Sequence, residues 1–136
     1  MMTEEINLLL VEDSPADAYL VQEALRAEGL PVRLQLAEDG EAAIGMIDRI
    51  DAQESKPKLT LLLLDINVPR QDGTAVLERL RKSPRCRDIP VIMISSSDSP
   101  RDRKRAFDLG ATEYFHKPSN LDEFMQLGKL VRRLCA

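Results

Sequence analysis

The sequence predicts an α/β fold: a doubly wound, five-stranded parallel sheet with helices on both faces. Short apolar runs at Ile6 to Val11, Leu59 to Leu64 and Val91 to Ile94 are continuous rather than alternating, as strands covered on both faces must be. The stretches between them repeat apolar residues three or four positions apart, which is the helical period. Strand and helix patterns alternate along the chain, and that order requires right-handed crossovers between parallel strands.

The first strand is followed by Ser14 and Pro15, a cap and a first-turn proline. Ala18, Val21 and Leu25 then form an apolar stripe, and Gly29 closes the helix. Val32 to Ala37 sets Arg33 and Gln35 between Val32, Leu34 and Leu36, the alternation expected of a strand nearer an edge. Ala42, Ile44 and Ile47 mark the second helix, and Asp51 to Lys58 is polar enough to be an exposed loop. Gly40 to Gly45 has the glycine spacing of a phosphate-binding loop, but Met46 and Ile47 stand where lysine and a hydroxyl are required, so it reads as helix. After the strand at Leu59 to Leu64, Asp72 and Gly73 open a third helix continued by Val76, Leu77 and Leu80. A fourth helix should run from about Pro100 to Leu109, a fifth strand over Thr112 to His116, and a fifth helix from Asn120 to Leu134.

The chain has 136 residues, 43% hydrophobic and 31% charged, which suits one globular domain over residues 1–136 and leaves no room for a second sizeable core. A net charge of −4 provides no field to attract nucleic acid or anionic lipid. The basic clusters at Arg101, Arg103, Lys104 and Arg105 and at Lys129, Arg132 and Arg133 read as solvated helix faces. Cys86 and Cys135 lack the spacing of a metal site or a disulfide framework, and the acidic start does not resemble a signal peptide, so a cytoplasmic location is expected. No apolar run approaches membrane-spanning length.

In a doubly wound sheet, chemistry gathers beyond the carboxyl ends of the strands. Glu12 and Asp13 follow the first apolar run, Asp65 ends the second and Ser95 ends the third, so all converge on one rim. Carboxylates brought together raise one another's proton affinity unless a cation neutralises them, and hard oxygen ligands favour Mg²⁺. Lys117, before Pro118, follows the fifth strand and could reach the same rim. A carboxylate nucleophile flanked by metal, ammonium and hydroxyl is what phosphoryl transfer requires, with Asp65 as the acceptor. His116 adjoins Lys117 on an alternating strand and should point away from the rim.

These residues resemble the signature of response-regulator receiver domains. The resemblance covers nearly the whole chain: Glu12 and Asp13, Asp65 after an apolar strand, Pro69 and Gly73 in the next loop, Ser95 after Pro90-Val91-Ile92-Met93-Ile94, and Lys117-Pro118. It implies a flavodoxin-like sheet of order 2-1-3-4-5 with five helices. It also implies Mg²⁺ (or Mn²⁺) held by Asp13, Asp65 and the backbone carbonyl of Asn67, with Glu12 acting through water, while Ser95 and Lys117 contact the phosphoryl oxygens. Tyr114 matches the family's aromatic switch, which turns inward on phosphorylation and remodels the face of the fourth helix, fifth strand and fifth helix. The implied partners are a sensor histidine kinase or phosphotransfer protein and a downstream protein, with the chain a monomer or a phosphorylation-linked homodimer. Glu12-Asp13-Ser14-Pro15-Ala16-Asp17 and the long stretch before Leu59 look similar to regulators that serve bacterial phytochromes.

Two other classes fit part of the pattern. A phosphatase of the haloacid-dehalogenase type also uses a strand-end aspartate, a lysine and Mg²⁺, but places a second aspartate where this chain has Asn67. A phosphorylation-independent interaction module would have no use for an intact Glu12, Asp13, Asp65, Ser95 and Lys117.

Overall fold

The computed structural model describes residues 5–66 and 73–135. Five parallel strands, β1 (Ile6–Val11), β2 (Val32–Ala37), β3 (Leu61–Asp65), β4 (Val91–Ser95) and β5 (Glu113–His116), form one sheet in the order β2-β1-β3-β4-β5. The helices α1 (Pro15–Ala27), α2 (Gly40–Ala52), α3 (Gly73–Arg81) and α4 (Pro100–Asp108) alternate with them, and α5 (Leu121–Phe124) and α6 (Gln126–Cys135) follow β5. This is the flavodoxin-like arrangement that the sequence predicts.

The continuous apolar runs divide between two cores. Leu9, Val11, Leu62, Leu64 and Met93 face α2 and α3, packing on Ala43, Ile47, Val76, Leu77 and Leu80. Leu8, Leu10, Leu61, Leu63, Ile92 and Ile94 face the other way, onto Ala18, Val21 and Leu25 of α1 and onto Phe124, Leu127 and Val131. At β2 the alternation holds from Val32 to Gln35, with Arg33 and Gln35 exposed and Val32 and Leu34 partly covered, but it fails at Leu36, which is exposed. Leu130 and Leu134, partly buried, also pack onto the second core.

Capping side chains set the helix starts. Ser14 Oγ accepts from the Asp17 amide (3.2 Å), Asp39 Oδ1 from Ala42 (2.7 Å), and Ser99 Oγ from Asp102 (3.1 Å). Gly29, at φ +67°, ends α1 in the left-handed region, as its position in the sequence predicts.

Among the boundaries that differ from the sequence reading, three have a visible cause. β3 begins at Leu61 rather than Leu59, because Thr60 already pairs with β1 partly through its side chain: its hydroxyl accepts from the Asn7 amide (3.1 Å). Thr112 does the same before β5, accepting from the Val91 amide (3.0 Å). The single helix expected from Asn120 to Leu134 is interrupted at Met125. The Gly128 amide donates to the Met125 carbonyl in a tightened turn (3.1 Å) that seats Gly128 on α1, where a Cβ would lie 2.3 Å from the Ala24 carbonyl oxygen. Among the described residues no helix is long and apolar enough to cross a membrane.

Candidate functional site

Strand register determines which side chains meet. Val11 pairs with Leu64, Asp65 with Ile94, and Ser95 with His116, so β1, β3, β4 and β5 end side by side. The ladders continue past the strand ends, where the Ile66 amide donates to the Ile94 carbonyl (3.3 Å) and the Lys117 amide to the Ser95 carbonyl (2.7 Å). Glu12, Asp13, Asp65, Ser95 and Lys117 are thereby held on one rim by backbone pairing, before any side-chain contact is considered. Gly73 fits closely beneath: a Cβ there would stand 2.8 Å from Ile66 Cα, so α3 starts directly against the end of β3.

One carboxylate oxygen from each of Glu12, Asp13 and Asp65 lies within 4.8 Å of the others. Glu12 is 2% exposed and Asp65 7%, whereas Asp13 opens to solvent. Lys117 reaches over this group: its ammonium donates to Asp65 Oδ2 and to Asp17 Oδ2, both at 2.8 Å. Glu12 Oε1 lies 3.0 Å from the same nitrogen, but the contact lacks hydrogen-bond alignment, and this buried oxygen has no hydrogen-bond partner. The Glu12 carboxyl is pushed up to about 7, by burial first and also by the charge of Asp65, against the opposing pull of Lys117 and the Ser14 amide. Burial alone would lower the Lys117 ammonium, but Asp17, Asp65 and Glu12 outweigh it, so its pKa is raised and it stays charged.

A buried, unsatisfied carboxylate oxygen within a trio of acids is the arrangement a hard divalent cation completes. The donor set, all oxygen and with one open side, fits Mg²⁺ or Mn²⁺. Asn67, whose carbonyl the family resemblance assigns to the metal, lies outside the described residues, as do Pro69 and Asp72.

The β4 and β5 side supplies the hydroxyl and the aromatic ring. Ser95 is 1% exposed, and its Oγ accepts from the Ser97 amide (3.0 Å). Tyr114 is already turned inward: it is buried, its hydroxyl donates to the Ser97 carbonyl (2.8 Å), and the Arg103 guanidinium lies 4.8 Å from its ring centre. Ser97 therefore links Ser95 to Tyr114 through its amide and carbonyl. His116 is exposed, with a ring nitrogen 3.0 Å from the Ser96 carbonyl and away from the carboxylates, as its strand position predicts.

Residues 8–129 match the family model described as the response regulator receiver domain. The chain belongs to that family. It is 34% identical to the response regulator Rcp1 of Synechocystis sp. over 130 residues, which cover 93% of this chain and 88% of Rcp1. The phosphorylated cyanobacterial phytochrome response regulator RcpA superposes with a TM-score of 0.84 at 30% identity, covering 97% of this chain and 94% of that one. The Mn²⁺-bound form of Rcp1 superposes at 0.80 with 32% identity, covering 93% and 91% of the two chains. The receiver family serves two-component signalling, and this chain is a signalling protein of that family rather than a turnover enzyme.

Within this receiver the structure brings Glu12, Asp13, Asp65 and Lys117 together, sets Ser95 at the neighbouring strand end and joins Tyr114 to it through Ser97. The sequence reading missed Asp17, which was quoted as part of a motif but given no role. Its signal was its spacing: four residues after Asp13, in the first turn of a capped helix, it faces the rim that Asp13 ends.

Proposed function

We propose that this receiver is a phosphorylation switch in which Asp65 accepts a phosphoryl group from a histidine of a sensor kinase or phosphotransfer protein. The observation that carries the reading is the position of the Lys117 ammonium, 2.8 Å from Asp65 Oδ2 beside a carboxylate trio of which Glu12 and Asp65 are buried. Asp65 attacks phosphorus in line, the phosphorus–nitrogen bond to the donor imidazole breaks with its electron pair leaving on that nitrogen, and an acyl phosphate forms. Lys117 balances charge on the phosphoryl oxygens without moving a proton. The Ser95 hydroxyl, whose oxygen already accepts from Ser97, has its hydrogen available for a phosphoryl oxygen. Glu12, Asp13 and Asp65 would hold Mg²⁺ or Mn²⁺, which supplies charge neutralisation between acceptor and donor.

The response passes through the strip that joins Ser95 to Tyr114 by way of Ser97. Movement of Ser95 toward the phosphate draws on the loop to which the Tyr114 hydroxyl is bound, so the surface formed by α4, β5 and the α5–α6 segment changes for a downstream partner. Residues 1–136 then act as one receiver unit, and the two free cysteines suit the cytoplasm. Incubation with acetyl phosphate and Mg²⁺ tests the reading. Intact mass should rise by one phosphoryl group, and an unchanged mass under conditions that preserve acyl phosphates would overturn it.

A further inference from the structure

Lys117 has a partner outside the metal-type trio. Asp17 Oδ2 accepts from its ammonium at 2.8 Å, as near as Asp65 Oδ2, although Asp17 lies a hundred positions earlier in the chain. Asp17 is itself fixed: it sits in the first turn of α1, and its amide is bound by the Ser14 cap. It is also more open to water than the other acids on the ammonium, with its side chain 31% exposed against 1% for Glu12 and 9% for Asp65. The ammonium thus hangs between an anchor on α1 and the acceptor on β3.

We propose that Asp17 is the positioning residue for Lys117, anchoring its ammonium from α1 at the phosphoryl end of Asp65 when Glu12 and Asp65 turn to the cation. The inference rests on Asp65 being the phosphoacceptor. During transfer Asp65 exchanges a carboxylate for an acyl phosphate, and Glu12 and Asp13 would be committed to the metal, so the charge each offers Lys117 changes. Asp17 lies outside the carboxylate trio and takes no part in either event. Without it, the partners left to the ammonium among the described residues are Glu12 and Asp65, so it competes with the metal and loses its anchor toward the incoming oxygens. Charge-assisted hydrogen bonds of this length fix a side chain well, and misplacement by about 1 Å costs on the order of a hundredfold in rate.

The bland role of Asp17 is that of an acid in a helix first turn, which would affect stability alone. The test compares wild type, Asp17→Asn and Asp17→Glu by the rate of phosphorylation from acetyl phosphate at saturating Mg²⁺, with Mg²⁺ affinity and thermal unfolding measured alongside. Asp17→Asn should fold and slow the saturating rate about tenfold, and Asp17→Glu should recover most of the loss. A rate within twofold of wild type, a loss that saturating Mg²⁺ erases, or an Asp17→Glu variant as slow as Asp17→Asn would overturn the inference while leaving the phosphoacceptor reading intact. A wild-type protein that takes no phosphate would overturn both.

Discussion

Two clusters in this molecule place one cation among several acids, and they differ in whether the acids are satisfied. Between α2 and α3, Arg79 bridges Asp48 and Asp51, and the Ser83 hydroxyl donates to the second oxygen of Asp51 at 2.6 Å. Burial pushes Asp51 up, but Ser83 and Arg79 outweigh it, and the carboxyl is held below its ordinary range. At the sheet rim Lys117 faces Glu12, Asp17 and Asp65, and there burial wins: Glu12 is pushed up and one of its oxygens has no hydrogen-bond donor. Asp51 is also the shallower of the two, its side chain 13% exposed against 1% for Glu12, so depth and partners act in the same direction. The α2–α3 cluster is complete and stabilises, whereas the rim cluster is a destabilising arrangement that a bound cation or phosphoryl group completes.

The largest expected effect belongs to the rim. Asp65→Asn should abolish phosphoryl uptake from acetyl phosphate, read by intact mass, while leaving the fold in place. Next, Glu12→Gln should weaken Mg²⁺ binding about tenfold or more by calorimetry, since a carboxylate that favours the charged metal complex is lost. The same change should raise metal-free stability at neutral pH by about 1–2 kcal/mol in a denaturant titration, because an unsatisfied buried charge is removed.

The two clusters should also respond oppositely to pH. A carboxyl raised in the folded state, as Glu12 is from 4.5 to about 7, binds protons preferentially when folded, so its contribution is full below 4.5 and is lost as pH rises toward 7. Asp51, lowered in the folded state, contributes stability above its unfolded value of 3.8 and loses it as pH falls through its lower folded value. Metal-free stability should therefore fall between about pH 4.5 and 7 in wild type, and this fall should disappear in Glu12→Gln. Mg²⁺ affinity should strengthen over the same interval, as the proton that competes for Glu12 leaves. The smallest effect belongs to the outer edge of the complete cluster: Asp48→Asn, whose side chain is 58% exposed, should change stability by less than about 0.5 kcal/mol and leave the phosphorylation rate unchanged.

The contrast also separates what the sequence announces from what it does not. Continuous apolar strands, caps such as Ser14 and Ser99, and acids at strand ends are local signals, and because parallel register carries one strand end to the next, they suffice to place Glu12, Asp65, Ser95 and Lys117 together. Contacts chosen by side-chain reach across elements are not local. Asp17 on Lys117, Ser97 joining Ser95 to Tyr114, and Arg103 over the Tyr114 ring all depend on how α1 and α4 settle on the sheet. The break at Met125 belongs to the same class, since it accompanies the seating of Gly128 on α1.

The central claim is that the middle carboxylate of the rim receives the phosphate, and chemical mapping addresses it most directly. After exposure to acetyl phosphate and Mg²⁺, borohydride reduction followed by peptide mass spectrometry should find homoserine at position 65, only when donor and Mg²⁺ were both present. Phosphate or its reduction product at Asp13, Ser95 or His116, or no modified peptide at all, would contradict the account.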